Sequence, residues 1–344
     1  MRAIGYNASR SNSDPSCLRS IALPDPKPDP QDLLVRVEAV SVNPVDTKVR
    51  RRESPSGDAW RVLGWDAAGT VEAIGSAVRG FAPGDPVWYA GSLTRAGCNS
   101  ERHCVDHRLA AQRPRSLSAA EAAAMPLTAI TAWELLFDRL QVPRRGNSYG
   151  NGNPSQTLLV VGAAGGVGSI LVQLVLACTD LQLVATASRQ QSRDWLHALG
   201  VQHVINHHEP MAEQIQQLNL PGVQAAVSLT HTEQHFDALV EILEPQGALA
   251  MIDDPTPAAI NVLAMKRKSL SLHWELMFTR SLYQTPDMAQ QGALLAEVAQ
   301  LVDASALRST LHTCWSPINA ENVQKAHHQL EAGASIGKLV LAGW

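Results

Sequence analysis

Between residues 157 and 276, continuous apolar runs alternate with amphipathic ones. "TLLVVG" (157–162) is apolar throughout and reads as a strand buried on both faces, and "SILVQLVLA" (169–177) continues it as a buried helix. "LQLVATA" (181–187) is a further strand, and "SRDWLHAL" a helix that ends before Gly200. "HVIN" (203–206), "QAAVSLT" (224–230), "TEQHFDALVEIL" (232–243), "GALAMID" (247–253) and "SLSLHWEL" (269–276) complete the series. Strand–helix alternation of this kind predicts an α/β fold, a doubly wound parallel sheet with helices on both faces.

The first third has a different pattern. "DLLVRVEAVSVN" (32–43), "GTVEAIGSAV" (69–78) and "GDPVWYA" (84–90) are short, Val-rich runs punctuated by Gly, Pro and Asp, as in a β-domain. The alternating prolines of "LPDPKPDP" (23–30) predict an extended loop. "SAAE" (118–121) has capping-box spacing, and a second helix is predicted over 127–140. The Gly-, Asn- and Pro-rich stretch 143–154 is expected to be a mobile loop. Two capped helices, over 286–303 and 319–333, and a last strand, "GKLVLAG" (337–343), end the chain.

Composition adds boundaries rather than a function. The 344 residues suffice for two domains, and 45% hydrophobic with 17% charged residues is a globular balance. A net charge of −4 without a basic run offers no track for nucleic acid or an anionic membrane. No apolar run reaches the roughly 18 residues that span a bilayer, and the start lacks a signal-peptide core. Five scattered cysteines argue for a reducing compartment, so the expected location is cytoplasmic.

The first candidate chemistry lies in "GAAGGVGS", between a predicted strand and helix. Ala163, Ala164, Gly165, Gly166, Val167 and Gly168 match A-x-G-x-x-G, with Ala163 in place of the first glycine. A dinucleotide needs a tight turn, backbone approach to the pyrophosphate and a helix N-terminus aimed at it. An NAD site usually carries an acid about 20 residues further on, for the ribose 2′-OH. Here that stretch holds Ala187, Ser188 and Arg189 and no acid. A carboxylate about 4 Å from a phosphate charge costs on the order of 1 to 4 kcal/mol. Its absence, with Ser188 to hydrogen-bond and Arg189 to pair, favours NADPH. Arg193 is read as a solvated helix residue or a further phosphate contact. His207–His208 and His327–His328 are adjacent pairs whose side chains diverge, and are read as solvated or locally hydrogen-bonded. Asp253–Asp254 is expected to cap a strand-to-loop turn near the cofactor.

With these residues placed, the chain resembles the medium-chain dehydrogenase/reductase superfamily over nearly its whole length. "AVSVNPVDTKVR", "GWDAAGTVEAIG", the "GD-V" of 84–87, "PLTAITAWE", "GAAGGVG" and "GKLVL" carry the likeness in order. It is most similar to the zinc-free quinone oxidoreductase branch. "SLTHTEQHFD", "IDDP" and "KRKSLSLHWELMFTRS" resemble the zinc-type alcohol dehydrogenase-like group. The resemblance implies a GroES-like β-barrel-type catalytic domain at 1–127 and 278–344, with a Rossmann NADPH-binding domain at 128–277. A catalytic zinc needs three protein ligands, and the family's Cys, His and Cys would fall at Asn43, Trp65 and near Leu127. None supplies the expected ligand. "AGSLTRAGCNSERHCVD" holds two cysteines, not the four of a structural zinc lobe. Zinc is therefore not expected as a cofactor.

Without a Lewis acid, reduction of a quinone or an α,β-unsaturated carbonyl is easier than alcohol oxidation. The resemblance puts Asn43 beside the nicotinamide, and Asp46 as a brace for its loop. Lys48 stands to donate to an enolate, contact phosphate or remain solvated. Trp65 fills the space of the metal as an apolar wall. Tyr89 is a proton donor or a buried tyrosine. Thr131 meets the nicotinamide amide. Trp60, Met277 and Phe278 add an apolar cast suited to a hydrophobic or aromatic electrophile. The competing readings are an alcohol dehydrogenase with an unrecognised metal site, and a protein that holds NADPH without turnover. The strand at 269–276 is expected to pair with its symmetry mate, giving a homodimer.

Overall fold

The computed structural model describes residues 1–344 except 58, 147–155 and 334, so most of the expected 143–154 loop lies outside the described residues. The chain divides into two compact units, Met1–Ile130 with Phe278–Trp344, and Thr131–Met277. The division falls three residues after the expected boundary at 127, inside a helix.

The first unit is built from β1 (Arg2–Tyr6), β2 (Arg19–Ala22), β3 (Asp32–Ser41), α1 (Pro44–Arg52), β4 (Arg61–Val62), β5 (Ala67–Ile74), β6 (Pro86–Tyr89), β7 (Arg102–Asp106), β8 (Ala110–Gln112) and α2 (Ala119–Ala123). Ser118 caps α2, accepting from the Glu121 amide while Glu121 reaches back to the Ser118 amide, as its spacing predicts. α3 (Pro126–Trp133) runs from this unit into the next. The helix expected over 127–140 widens after Trp133 into a π-helical segment, Glu134–Arg139, where the Leu140 amide bonds to the Leu135 carbonyl. Hydrophobic spacing does not separate i−4 from i−5 bonding, so the widening had no signal.

The second unit holds β9 (Thr157–Val161), α4 (Gly166–Cys178), β10 (Gln182–Thr186), α5 (Gln190–Ala198), β11 (His203–Ile205), α6 (Met211–Gln217), β12 (Val223–Ser228), α7 (Thr232–Ile242), β13 (Leu243–Met251) and β14 (Ser271–Trp274). Its strands form one parallel sheet in the order β11-β10-β9-β12-β13-β14. β9 is buried at every position, as a central strand covered on both faces must be. Leu159, Phe236, Leu239 and Leu249 form part of the core on one face. This is the doubly wound Rossmann arrangement, whose ligands bind beyond the carboxyl ends of the strands.

The chain then returns to the first unit through α8 (Thr279–Tyr283), α9 (Gln290–Asp303), β15 (Leu311–Trp315), α10 (Ala320–Glu331) and β16 (Lys338–Ala342). β16 pairs antiparallel with β3, completing the seven-stranded sheet of this GroES-like unit. His327 of α10 departs from the expected solvated or locally hydrogen-bonded pair. It is fully buried, and the Nε of the equally buried Arg50 donates to its Nδ1 at 3.3 Å. Burial and the Arg50 charge push it down to about 3. Among the described residues no helix is long and apolar enough to cross a membrane.

Candidate active site

In the Rossmann unit, three glycines between β9 and α4 do different work. Gly162 turns the chain at φ +81°, which L-residues rarely adopt, so the left-handed turn falls one residue before Ala163. A Cβ on Gly168 would lie 2.4 Å from the Ala163 carbonyl oxygen, so this glycine lets α4 pack onto the turn. A Cβ on Gly165 would meet nothing closer than the Gly162 oxygen at 3.5 Å. Gly165 therefore leaves an open face at the N-terminus of α4. The first-turn amides of Gly166, Val167 and Gly168 lie there, where a helix has N–H groups to spare for a pyrophosphate. Ala163 is fully buried and Ala164 nearly so, closing the loop from below. These residues fit a dinucleotide.

Beyond β10 the chain offers half-buried Ser188 and exposed Arg189, which stands at the N-cap of α5. Arg193 is neither solvated nor turned to a ligand. Its guanidinium donates to the Ala187 and Val204 carbonyls at 3.3 and 2.9 Å, tying together the ends of β10 and β11. Asp253 caps a helix rather than its own turn, accepting from the Thr232 amide at 2.9 Å at the start of α7. Thr131 is buried on α3.

In the GroES-like unit a buried polar network forms around Asn43. The register that pairs Ser41 with Val340 sets Lys338 opposite Asn43, and the β3–β5 pairing brings Asp66 beside Ser41. Lys338 Nζ donates to the Val42 carbonyl at 2.9 Å and to Asn43 Oδ1 at 2.5 Å, and lies 3.3 Å from Asp66 Oδ2. Asp66 also accepts from Asn43 Nδ2 and from the Leu127 amide, both at 3.2 Å. Burial pushes the Asp66 carboxyl up and the Lys338 ammonium down, and their mutual attraction opposes both shifts. The hydrogen bonds favour the ionised pair. Asp46 braces the same corner, accepting from the Asn43 and Gly64 amides at 2.8 Å each. Burial raises its carboxyl to about 7.

The amide of Asn43 is thus committed inward, which makes it a positioning group. Trp65 is buried, its indole N–H donating to the Ser92 carbonyl at 3.0 Å, and Phe278 meets its ring edge-on at 6.2 Å between centroids. Tyr89 is fully buried, with its hydroxyl 3.1 Å from His103 Nδ1, and burial holds its proton tightly. The buried alternative for Tyr89 is the one its surroundings support. Lys48 is half-buried on α1. Lys338 and Asp66 are the residues that sequence reasoning missed. Both lay inside motifs noted for their likeness to the family, but no local pattern reveals that strand pairing joins them.

The three positions matching the zinc ligands converge here, and their chemistry does not fit a zinc ion. They carry a carboxamide already engaged, an indole and an aliphatic side chain, beside a buried ammonium. Among the described residues no group of three His, Cys, Asp or Glu side chains is arranged to hold a metal.

Two family models match: the alcohol dehydrogenase GroES-like domain over residues 29–129, and the zinc-binding dehydrogenase domain over 199–341. A zinc-type alcohol dehydrogenase-like protein of Staphylococcus aureus strain MSSA476 is 35% identical, over 99% of both chains. A chloroplastic quinone-oxidoreductase homolog of Spinacia oleracea is 31% identical, over 61% of this chain and 62% of its own. A 2-methylene-furan-3-one reductase of Solanum lycopersicum is 35% identical, over 55% of this chain and 47% of its own. Among solved structures, a Rhizobium etli CFN 42 protein provisionally described as a zinc-dependent alcohol dehydrogenase superposes with a TM-score of 0.95. It is 48% identical, with 100% of this chain and 98% of that one covered. A mycobacterial protein solved with NADPH superposes with a TM-score of 0.82 at 25% identity, covering 99% of this chain and 100% of its own. The chain belongs to the medium-chain dehydrogenase/reductase superfamily, in its quinone oxidoreductase branch with the zinc-type alcohol dehydrogenase-like proteins.

Proposed function

We propose that this protein is an NADPH-dependent, zinc-independent reductase of quinones or of the activated C=C of α,β-unsaturated carbonyls. The observation that carries the reading is the Lys338 ammonium, whose three donors are directed to Val42, Asn43 and Asp66. A second cation about 4 Å away would be repelled by on the order of 4 kcal/mol per unit charge in partly shielded surroundings. The corner that would bind a metal is instead filled by a hydrogen-bonded ion pair.

NADPH, when bound, supplies the hydride. The residues contribute binding and shape. Gly165 to Gly168 hold the pyrophosphate against the first turn of α4, and Ser188 and Arg189 meet the 2′-phosphate. Thr131 contacts the nicotinamide amide. Asn43, fixed by Lys338, keeps the start of α1 in place, and Trp65 with Phe278 presents an apolar wall to a flat, conjugated acceptor. Hydride supplied to the electrophilic carbon would leave the electron pair on the conjugated oxygen, which the residues around it must then meet. Lys48 or water returns a proton to the resulting anion. Reduction of this kind needs hydrogen-bond donors rather than a Lewis acid. The zinc-type relative and the quinone and furanone relatives differ in their names, and the donor set here favours the latter two chemistries.

The exposed edge of the Rossmann sheet completes the reading. β14 is an edge strand among the described residues, with Trp274 at its end and Leu276 two residues beyond it both about half exposed, and such an edge invites a partner. A second copy pairing there gives a homodimer. The test of function is steady-state kinetics on a panel of quinones and enones with each cofactor. The reading expects kcat/KM at least about ten-fold higher with NADPH, and equal values would contradict it.

A further inference from the structure

Four histidines gather on the Rossmann unit at the carboxyl edge of its sheet. His207 and His208 follow β11, His231 precedes α7 and His235 lies in its first turn. The His207 ring lies 4.5 Å from that of His208 and 5.6 Å from that of His235, both edge-on. His235 is buried and His207 half-buried, and among the described residues the buried Nδ1 of His207 has no hydrogen-bond partner. Among the described residues the cluster forms no group suited to a metal. Thr186 of β10 pairs with Ile205 of β11, so Ser188 and His207 both lie two residues past paired positions on neighbouring strands. Such strands are about 4.8 Å apart.

We propose that this histidine cluster seats the 2′-phosphate of NADPH, with His207 taking up a proton from solvent as the phosphate binds. The inference rests on the NADPH reading above and names the residues that read the phosphate. By themselves the clustered rings resist protonation. Burial holds His207 down to about 4, with the neighbouring His208, His235 and His231 adding to it, and His235 is lowered for similar reasons. A dianion beside the rings reverses the balance, because an opposite charge favours the imidazolium. The other charges nearby are few. Asp253 at the end of β13 is tied to Thr232, Glu209 bonds Asn206, and Glu233 bonds the Thr256 amide. Glu213 lies in the first turn of α6, and Arg193 is occupied with carbonyls. Arg189 caps α5 beside Ser188.

NADPH and NADH differ only in that phosphate, so calorimetric titration of both near pH 7, in two buffers of different ionisation enthalpy, counts the protons it recruits. The expected result is uptake of about half to one proton with NADPH beyond that with NADH. NADPH affinity should then rise several-fold between pH 8 and 6.5, with NADH affinity flat. His207→Phe keeps an aromatic ring and abolishes the difference in uptake, weakening NADPH about ten-fold and NADH less than two-fold. His208→Asn, at an exposed position, guards against a folding defect and weakens NADPH in the same direction. Tight, selective NADPH binding with no extra proton, unchanged in both variants, overturns the inference and leaves the NADPH reading standing. Equal affinity for NADPH and NADH overturns both.

Discussion

Lys338 and Asn43 face each other across the β16–β3 pair, with Nζ donating to Oδ1 at 2.5 Å. One residue comes from near the end of the chain and the other from its first fifth. Together with Asp66 they make a buried, ion-paired corner where the zinc-ligand positions of the family would converge.

Lys338→Met leaves Asp66 buried without its cation. Breaking a buried pair in this way costs about 3–5 kcal/mol, while removing both charges costs far less. The single variant should therefore unfold at clearly lower denaturant than the Lys338→Met, Asp66→Asn double variant, read by chemical denaturation. A double variant no better than the single would mean the pair is not coupled.

Gly165 and Gly168 should respond differently to alanine. Gly168→Ala drives a Cβ to 2.4 Å from backbone, so the melting temperature should fall by several degrees. Gly165→Ala meets only ordinary contact, so the melting temperature should hold while NADPH affinity drops about ten-fold. Thermal melts and fluorescence titrations of both variants check this. Equal losses of affinity and stability in both would contradict the separate roles.

These glycines also show how much was readable from sequence. The strand–loop–helix order around 163–168 follows from local pattern, and with it the phosphate role proposed for that loop, because a turn and a helix start are local events. The left-handed residue does not: Gly162 is marked only by its φ, and the motif match had started one residue later. Long-range pairings were less readable still. Nothing near Lys338 announces Asn43, and nothing near His327 announces Arg50, because each pair is made by packing between distant segments. The adjacent histidines read as solvated or locally hydrogen-bonded pairs because adjacency along the chain says nothing of His235 arriving from another helix.

Acid should destabilise the fold through its buried histidines. His327 falls to about 3, and His103 to about 4. An unfolded histidine takes a proton below about 6.5, so the unfolded chain binds more protons in this window. The contribution is full above pH 6.5 and is lost as pH falls towards 3. Asp46 acts in the opposite sense, since its raised carboxyl adds stability at low pH that is lost as pH rises through about 7. The difference between wild type and His327→Gln isolates the histidine. It should shrink by about 2 kcal/mol between pH 7 and 5, and a constant difference would show that His327 does not titrate this way.

The β14 edge predicts a dimer that one charge disrupts. Light scattering at micromolar concentration should give twice the chain mass for the wild type and a monomer for Trp274→Asp. A monomeric wild type would remove the partner from the account.

The most direct test of the central claim is NADPH oxidation by chelator-treated protein, shown zinc-free by elemental analysis, with a quinone and an enone as acceptors. The account predicts the same turnover as untreated protein. Turnover lost on chelation and restored by added zinc would contradict it, and would mean that a metal site exists despite the cation at Lys338.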